Sequence, residues 1–180
     1  MTDAPQFEAF VREYQNMVYA TAFRLLGNAS DAEDAAQTVF LKAFERFDTL
    51  GSSPTASGWL KTVTTNHCLT HLTRHRRRWR LFSEMGRDDE DGQETAYEDG
   101  IASREENPAA ELERADRERV LETALVGLPD HQRIPLVLFH FEERSYEDIA
   151  SLLEVSLAKV KTDIHRGRET LRRRLAIAAS

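Results

Sequence analysis

The chain is poor in the features that announce most protein classes. Its 180 residues include one cysteine, Cys68, so no internal disulfide framework can staple it. A lone thiol fits a reducing compartment and leaves a bridge to another chain open. No apolar run approaches the roughly eighteen residues that a membrane-spanning helix needs. The first residues, MTDAPQFEAF, lack the basic start and long apolar core of a secretory signal. Together these absences predict a cytoplasmic protein. Strand-like alternation of apolar and polar residues is missing too, as is any internal repeat beyond a helical resemblance between the halves. What is left is helix. With 41% hydrophobic and 31% charged residues the composition is that of an ordinary soluble protein. The length fits one ordinary domain or two small ones, and the pattern predicts an all-α chain of two small helical domains.

The charge is unevenly spread. From Ser83 to Pro108 the chain has ten acids and two bases, a local net of −8 against −7 for the whole protein. With Met85, Tyr97 and Ile101 as its large apolar side chains, this stretch cannot bury enough apolar surface to offset its chain entropy. It reads as a flexible acidic linker over residues 83–110, between domains at 1–82 and 111–180. The flanking parts sum to about +1, with their bases gathered in patches.

Before the linker, Phe7, Phe10, Val11, Tyr14, Met17, Val18, Thr21, Leu25 and Leu26 recur at helical spacing, and Gly27 supplies a stop. A second helix is expected to start at Ser30, boxed with Glu33, and to bury Ala36, Val39, Phe40, Ala43, Phe44 and Phe47. The turn-rich GSSPTASG, Gly51 to Gly58, separates it from a long third helix holding Trp59, Leu60, Val63, Leu69 and Leu72. That helix becomes strongly basic, with Arg74, His75, Arg76, Arg77, Arg78 and Arg80 around Trp79. Cations interleaved with rings suit single-stranded or distorted nucleic acid, because bases stack on aromatics for about 1–3 kcal/mol each. Trp59 is equally placed for core packing, and Trp79 for stacking an arginine within the protein.

After the linker, Ser145 and Asp148 form a capping-box-like pair, and Ile149, Leu152 and Leu153 make one apolar face. Ser156 can cap a second helix whose stripe is Val160, Ile164, Leu171 and Leu175. Lys159, Lys161, Thr162, His165, Arg166 and Arg168 face mostly away from that stripe. Seven cations against two acids between Lys159 and Arg174 give +5. Two capped helices a short turn apart, the second with a basic outer face, read as a helix-turn-helix whose second helix enters a major groove. Upstream, Pro135 predicts that the helix after Pro129 starts late or kinks.

These segments in this order, DAEDAAQTVFLKAFERF and GWLKTVTTNHCLTHLTRHRRR, then a linker, then LPDHQRIPLVLFHFEERSYEDIASLLEVSLAKVKTDIHRGRETLRRRL, resemble the bacterial extracytoplasmic-function sigma factors. The resemblance implies a sigma domain 2-like bundle and a sigma domain 4-like helix-turn-helix, with no catalytic activity of their own. It implies that Asp31, Asp34 and Gln37 dock on the clamp helices of core RNA polymerase, while the second domain reaches the flap. Without it, the acids at the start of the second helix are explained by the helix macrodipole alone. It further implies a minus-ten contact through Trp59, Asn66, Thr70, Arg74, Arg76 and Arg77. Ser156, Lys159, Lys161, Thr162, His165 and Arg166 would meet the minus-thirty-five element. The chain departs from the family's usual residues at Thr38, Thr70, Ser156 and Ala158. An anti-sigma partner is a further expectation of the family.

Two other readings compete. His67, His71 and His75 lie four residues apart and could share a zinc ion, but no ligand from another segment and no catalytic Glu accompany them, so neither metal nor cofactor is expected. A freestanding helix-turn-helix regulator would carry a sensory or dimerising first domain, and the chain has neither a phosphoacceptor α/β pattern nor a heptad seam.

Overall fold

The computed structural model describes residues 3–83 and 108–179, with side chains described through Arg74 and again from Pro108 to Ala178. Helices α1 (Ala4–Leu26), α2 (Ala29–Glu45), α3 (Phe47–Leu50) and α4 (Ala56–Ser83) precede the acidic segment. Helices α5 (Pro108–Val126), α6 (Asp130–His140), α7 (Tyr146–Leu153) and α8 (Leu157–Ala179) follow it. No strand occurs among the described residues. Two units are resolved, Met1–Asp91 and Gly92–Ser180, as the all-α reading expects; the acidic stretch 84–107 lies outside the described residues.

In the first unit the chain leaves α1 through Gly27, whose φ of 70° is left-handed and whose N–H donates to the Phe23 carbonyl at 2.8 Å. Only glycine takes that conformation without a Cβ clash, so the helix stops there. Asn28 then caps α2, its side-chain oxygen accepting from the Asp31 N–H at 3.0 Å. The expected Ser30–Glu33 box is not the cap. Asparagine caps as well as serine, and Asn28 is already extended directly behind the turn.

Helices α1, α2 and α4 bury Phe10, Val18, Val39, Ala43 and Leu60 together, and Phe47 and Leu50 of α3 close one end. The Phe7 and Phe10 rings each meet Phe47 edge-on, at 5.2 and 5.4 Å between centroids, a favoured aromatic arrangement. Phe47 was expected on α2 but belongs to α3, since α2 stops at Glu45. Phe44, expected in the core, is exposed. Along α4, Leu60, Thr64 and Cys68 recur every fourth residue and are fully buried. The Thr64 hydroxyl donates to the Leu60 carbonyl at 2.6 Å, which removes the cost of burying it. Gly58, expected in the preceding turn, falls inside α4.

The second unit is built around α6 and α8. Helix α6 begins at Asp130 and continues through Pro135, so the late start expected from that proline does not occur. The proline deprives the His131 carbonyl of its helical donor, at a cost of about 3 kcal/mol. Ile134, Leu136, Val137 and Leu138 are all buried, and at about 1.5–3 kcal/mol apiece their sum exceeds that cost. Buried Arg133 is satisfied by Asp130 at 2.7 Å and the Leu128 carbonyl at 3.1 Å. Helix α8 crosses α6 at Gly167, where an added Cβ would lie 3.1 Å from Leu136 Cδ1 and 3.3 Å from the Gln132 carbonyl. Glycine lets the two helices cross this closely without displacing Leu136 or the α6 backbone.

The helix-turn-helix forms as its sequence suggests. Ser145 Oγ accepts from the Asp148 N–H and Ser156 Oγ from the Lys159 N–H, both at 3.1 Å. Ile149 and Leu153 are buried, whereas Leu152, expected with them, is exposed. Glu154 ends α7 at φ 55°, a left-handed conformation that costs a side-chain-bearing residue about 1–2 kcal/mol. Replacing Glu154 with glycine is expected to stabilise the protein by up to about 1 kcal/mol, read as a raised melting temperature. An unchanged or lowered melt would show that the Glu154 side chain contributes more than its backbone strain costs.

His67 sits where α4 meets α2. Burial, then the Lys42, His71 and Arg74 charges, hold it below the ordinary histidine value of 6.5. The folded unit thus favours the neutral ring, and the unfolded chain binds more protons between the two values, so stability rises with pH there. His67's contribution is full above 6.5 and is lost as pH falls through its folded value. The melting temperature should drop between about pH 7.5 and about pH 5.5, and less steeply in His67→Gln. Parallel curves for the two proteins would remove His67 from the account.

Candidate nucleic-acid and polymerase interfaces

Three helices hold the residues named from the sequence, and in each the burial pattern separates a dry stripe from a wet one. On α2 the dry side is Ala32, Ala35, Val39 and Ala43. Asp34 and Gln37 are exposed on the opposite side, and the three-four-three spacing continues their line to Leu41 and Phe44. Those two large apolar side chains are 67% and 47% exposed, which is unusual for neighbours on one face. Sequence reasoning missed both. Their signal was phase: Leu41 stands half a turn from Val39, so it cannot share the buried stripe. Asp31 is set on the flank toward α4, with its Oδ2 3.7 Å from His71 Nε2. Thr38 turns its hydroxyl to the Asp34 carbonyl at 3.0 Å.

On α4, Trp59, Asn66, Thr70 and Arg74 lie on one helical arc, about a third of a turn from Leu60 and Thr64. Asn66, Thr70 and Arg74 are exposed, while Trp59 is half-buried against the core of the first unit. Trp59 thus touches the core and still borders the wet face. Thr70 donates to the Asn66 carbonyl at 2.9 Å, so its hydroxyl is already engaged. Arg76 and Arg77 fall on the continuing helix, with side chains outside the described set, as are those of His75 and Trp79. Among the described residues no three His, Cys, Asp or Glu side chains group as a metal site. No described helix is long and apolar enough to cross a membrane.

On α8, Val160 and Ile164 are buried and Leu171 and Leu175 half-buried. Lys161, Thr162, His165 and Arg166 are exposed on the far arc. Lys161 and Arg166 have no ion-pair partner among the described residues, so their charge is available to a phosphate. Lys159 is tied to Asp163 at 2.6 Å, and that carboxylate is nine-tenths buried. Ser156 uses its hydroxyl for the cap. The structure therefore gathers four of the six expected minus-thirty-five residues on one free face, and engages the other two within the helix itself. Arg168, grouped by sequence with the outward donors, is half-buried and turned toward α6 instead.

Residues 10–78 match the Sigma-70 region 2 family and residues 118–171 match Sigma-70 region 4. The chain is 31% identical over 179 residues to the ECF RNA polymerase sigma factor SigW of Bacillus subtilis, covering 96% of this chain and 90% of that protein. It is 35% identical over 172 residues to the ECF RNA polymerase sigma factor SigE of Mycolicibacterium smegmatis, spanning 62% of that longer relative. Among solved structures, the sigma factor RpoE of Bartonella quintana, in complex with the anti-sigma factor NepR, matches with a TM-score of 0.52. That match has 21% identity and covers 95% of this chain and 97% of the other, a likeness of fold. With two region families in order and a relative 31% identical over 90% of its own length, this chain belongs to the ECF sigma factors of RNA polymerase.

Proposed function

We propose that the chain acts as a two-point grip on promoter DNA mounted on core RNA polymerase, with residues 1–82 and 111–180 as the two holds and 83–110 as an acidic tether. As an ECF sigma factor it directs promoter recognition and transcription initiation. The observation that carries the division of labour is the pair of helices, α4 and α8, that each bury one stripe and keep donors in water on the other. The exposed line Asp34, Gln37, Leu41 and Phe44 supports docking on the polymerase clamp helices, with Asp31 at its flank. Polar groups there would set register and the two apolar side chains would supply contact area. Trp59, Asn66, Thr70, Arg74, Arg76 and Arg77 serve the minus-ten element. Ser156, Lys159, Lys161, Thr162, His165 and Arg166 serve the minus-thirty-five element, and the second hold also reaches the flap.

In this reading the protein is not an enzyme and works in the cytoplasm beside the polymerase. Melting follows from preferential capture of unstacked bases, since a flipped base costs only a few kcal/mol when a pocket stabilises it. Polymerase performs the chemistry. That the solved relative was obtained with an anti-sigma factor supports an inhibitory protein as a further partner of this chain.

The direct test is run-off transcription with sigma-free core polymerase. Added chain should redirect core to new start sites, and an Asp34→Ala/Leu41→Ala variant should lose that activity along with co-purification with core. Tight binding to promoter duplex by the chain alone, with no effect on core, would contradict the sigma reading. Each of Lys161→Ala and Arg166→Ala should weaken upstream-element binding and flatten the log affinity against log salt slope by about 0.9 per lost phosphate contact. Unchanged slope and affinity in both would take α8 off the DNA.

A further inference from the structure

We propose that Arg168 is a positioning residue that fixes the recognition helix α8 against α6 and α7, and that His140 is its acceptor. The Arg168 Nε–H donates to His140 Nε2 at 3.0 Å, and the guanidinium carbon lies 5.5 Å from the centre of the Phe139 ring. Phe139 in turn stacks on Tyr146 at 4.6 Å between centroids and 21° between planes. One arginine from the middle of α8 thereby reaches the last residues of α6 and, through a ring, the first residue of α7. Those are the elements whose mutual angle decides how a recognition helix enters a groove.

The chemistry of the contact restricts its partners. An Nε2 that accepts a hydrogen bond has no proton, so His140 is neutral with its proton on Nδ1. Burial and the adjacent Arg168 charge both hold His140 below the usual histidine range, which agrees with that tautomer. Lysine in place of Arg168 would lack both the flat cation that lies on Phe139 and the fixed Nε–H direction. Gln in place of His140 would retain an oxygen that can accept from Arg168, whereas Leu would not. Nothing in this network requires Arg168 to touch DNA, in contrast with Lys161 and Arg166 on the free face.

The inference rests on α8 reading the upstream element, so the test begins with the wild-type holoenzyme and a promoter selected by it from a randomised duplex pool. Affinities for that promoter and for a copy with its upstream element scrambled are measured across salt, for wild type, Arg168→Lys, His140→Leu, His140→Gln and the double variant Arg168→Lys/His140→Leu. All are compared below their melting temperatures. Arg168→Lys and His140→Leu should each reduce the discrimination between the two duplexes by about tenfold and leave the salt slope unchanged. His140→Gln should restore most of the discrimination, and the double variant should be no worse than either single one, because the two residues act through one contact. An Arg168 variant whose salt slope falls by about 0.9, with losses that add to those of His140→Leu, would make Arg168 a phosphate contact and overturn the proposal. Wild-type-like discrimination in both single variants would overturn it as well. A wild-type holoenzyme that selects no upstream element would overturn the α8 assignment beneath it, an outcome visible before any variant is made.

Discussion

A helix that must be held by a protein and also read a ligand can give only one side to each task. Here α2, α4 and α8 all meet that constraint in the same way, and the rest of the architecture serves it. Val39 and Ala43, Leu60 and Thr64, Val160 and Ile164 are dry, and the residues on the other arcs stay in water. Burying each large aliphatic side chain contributes about 1.5–3 kcal/mol, while an exposed ion pair contributes about 0–1 kcal/mol. The buried stripes therefore set where the helices lie, and the polar faces follow from them.

In the second unit α8 is tightly packed. Gly167 lets α8 approach the Gln132 carbonyl and Leu136, and the proline-interrupted α6 is held helical by the apolar run around it. The turn between α7 and α8 uses a strained Glu154 between two serine caps. In the first unit the aromatic group of Phe7, Phe10 and Phe47 anchors the end of α2, so that its outer line of Asp34, Gln37, Leu41 and Phe44 is presented on a rigid support. A firm support matters for any docking face, because looseness in the face that binds is lost affinity.

Much of this was legible in order along the chain. Gly27, Ser145 and Ser156 act locally, through backbone conformation and a hydrogen bond reaching three or four residues, so their roles could be read without knowing any neighbour in space. The buried stripes of α1 and α8 were legible for a similar reason, since helical phase is a property of spacing. Local rules misled where two local signals competed or where a second helix intervened. Asn28 displaced the Ser30–Glu33 box because it stood first behind the turn. Phe44 and Leu152 carry apolar side chains at plausible spacing, yet both stay exposed, Phe44 although one edge of it meets the Phe7 ring. Pro135 did not delay the start of α6, because burial outweighed its lost hydrogen bond.

The sequence alone determined the all-helical class, the helix-turn-helix and the family, because capping, periodicity and motif order are encoded within short windows. Tertiary structure alone decided which side of each helix is free, since exposure depends on what packs against it. It turned Arg168 from an outward donor into a partner of His140, tied Lys159 to Asp163, and left Leu41 and part of Phe44 exposed. A cation on α8 and the histidine and ring 28 and 29 residues before it acquire a joint role only when α6 and α8 cross, and spacing along the chain contains no record of that crossing.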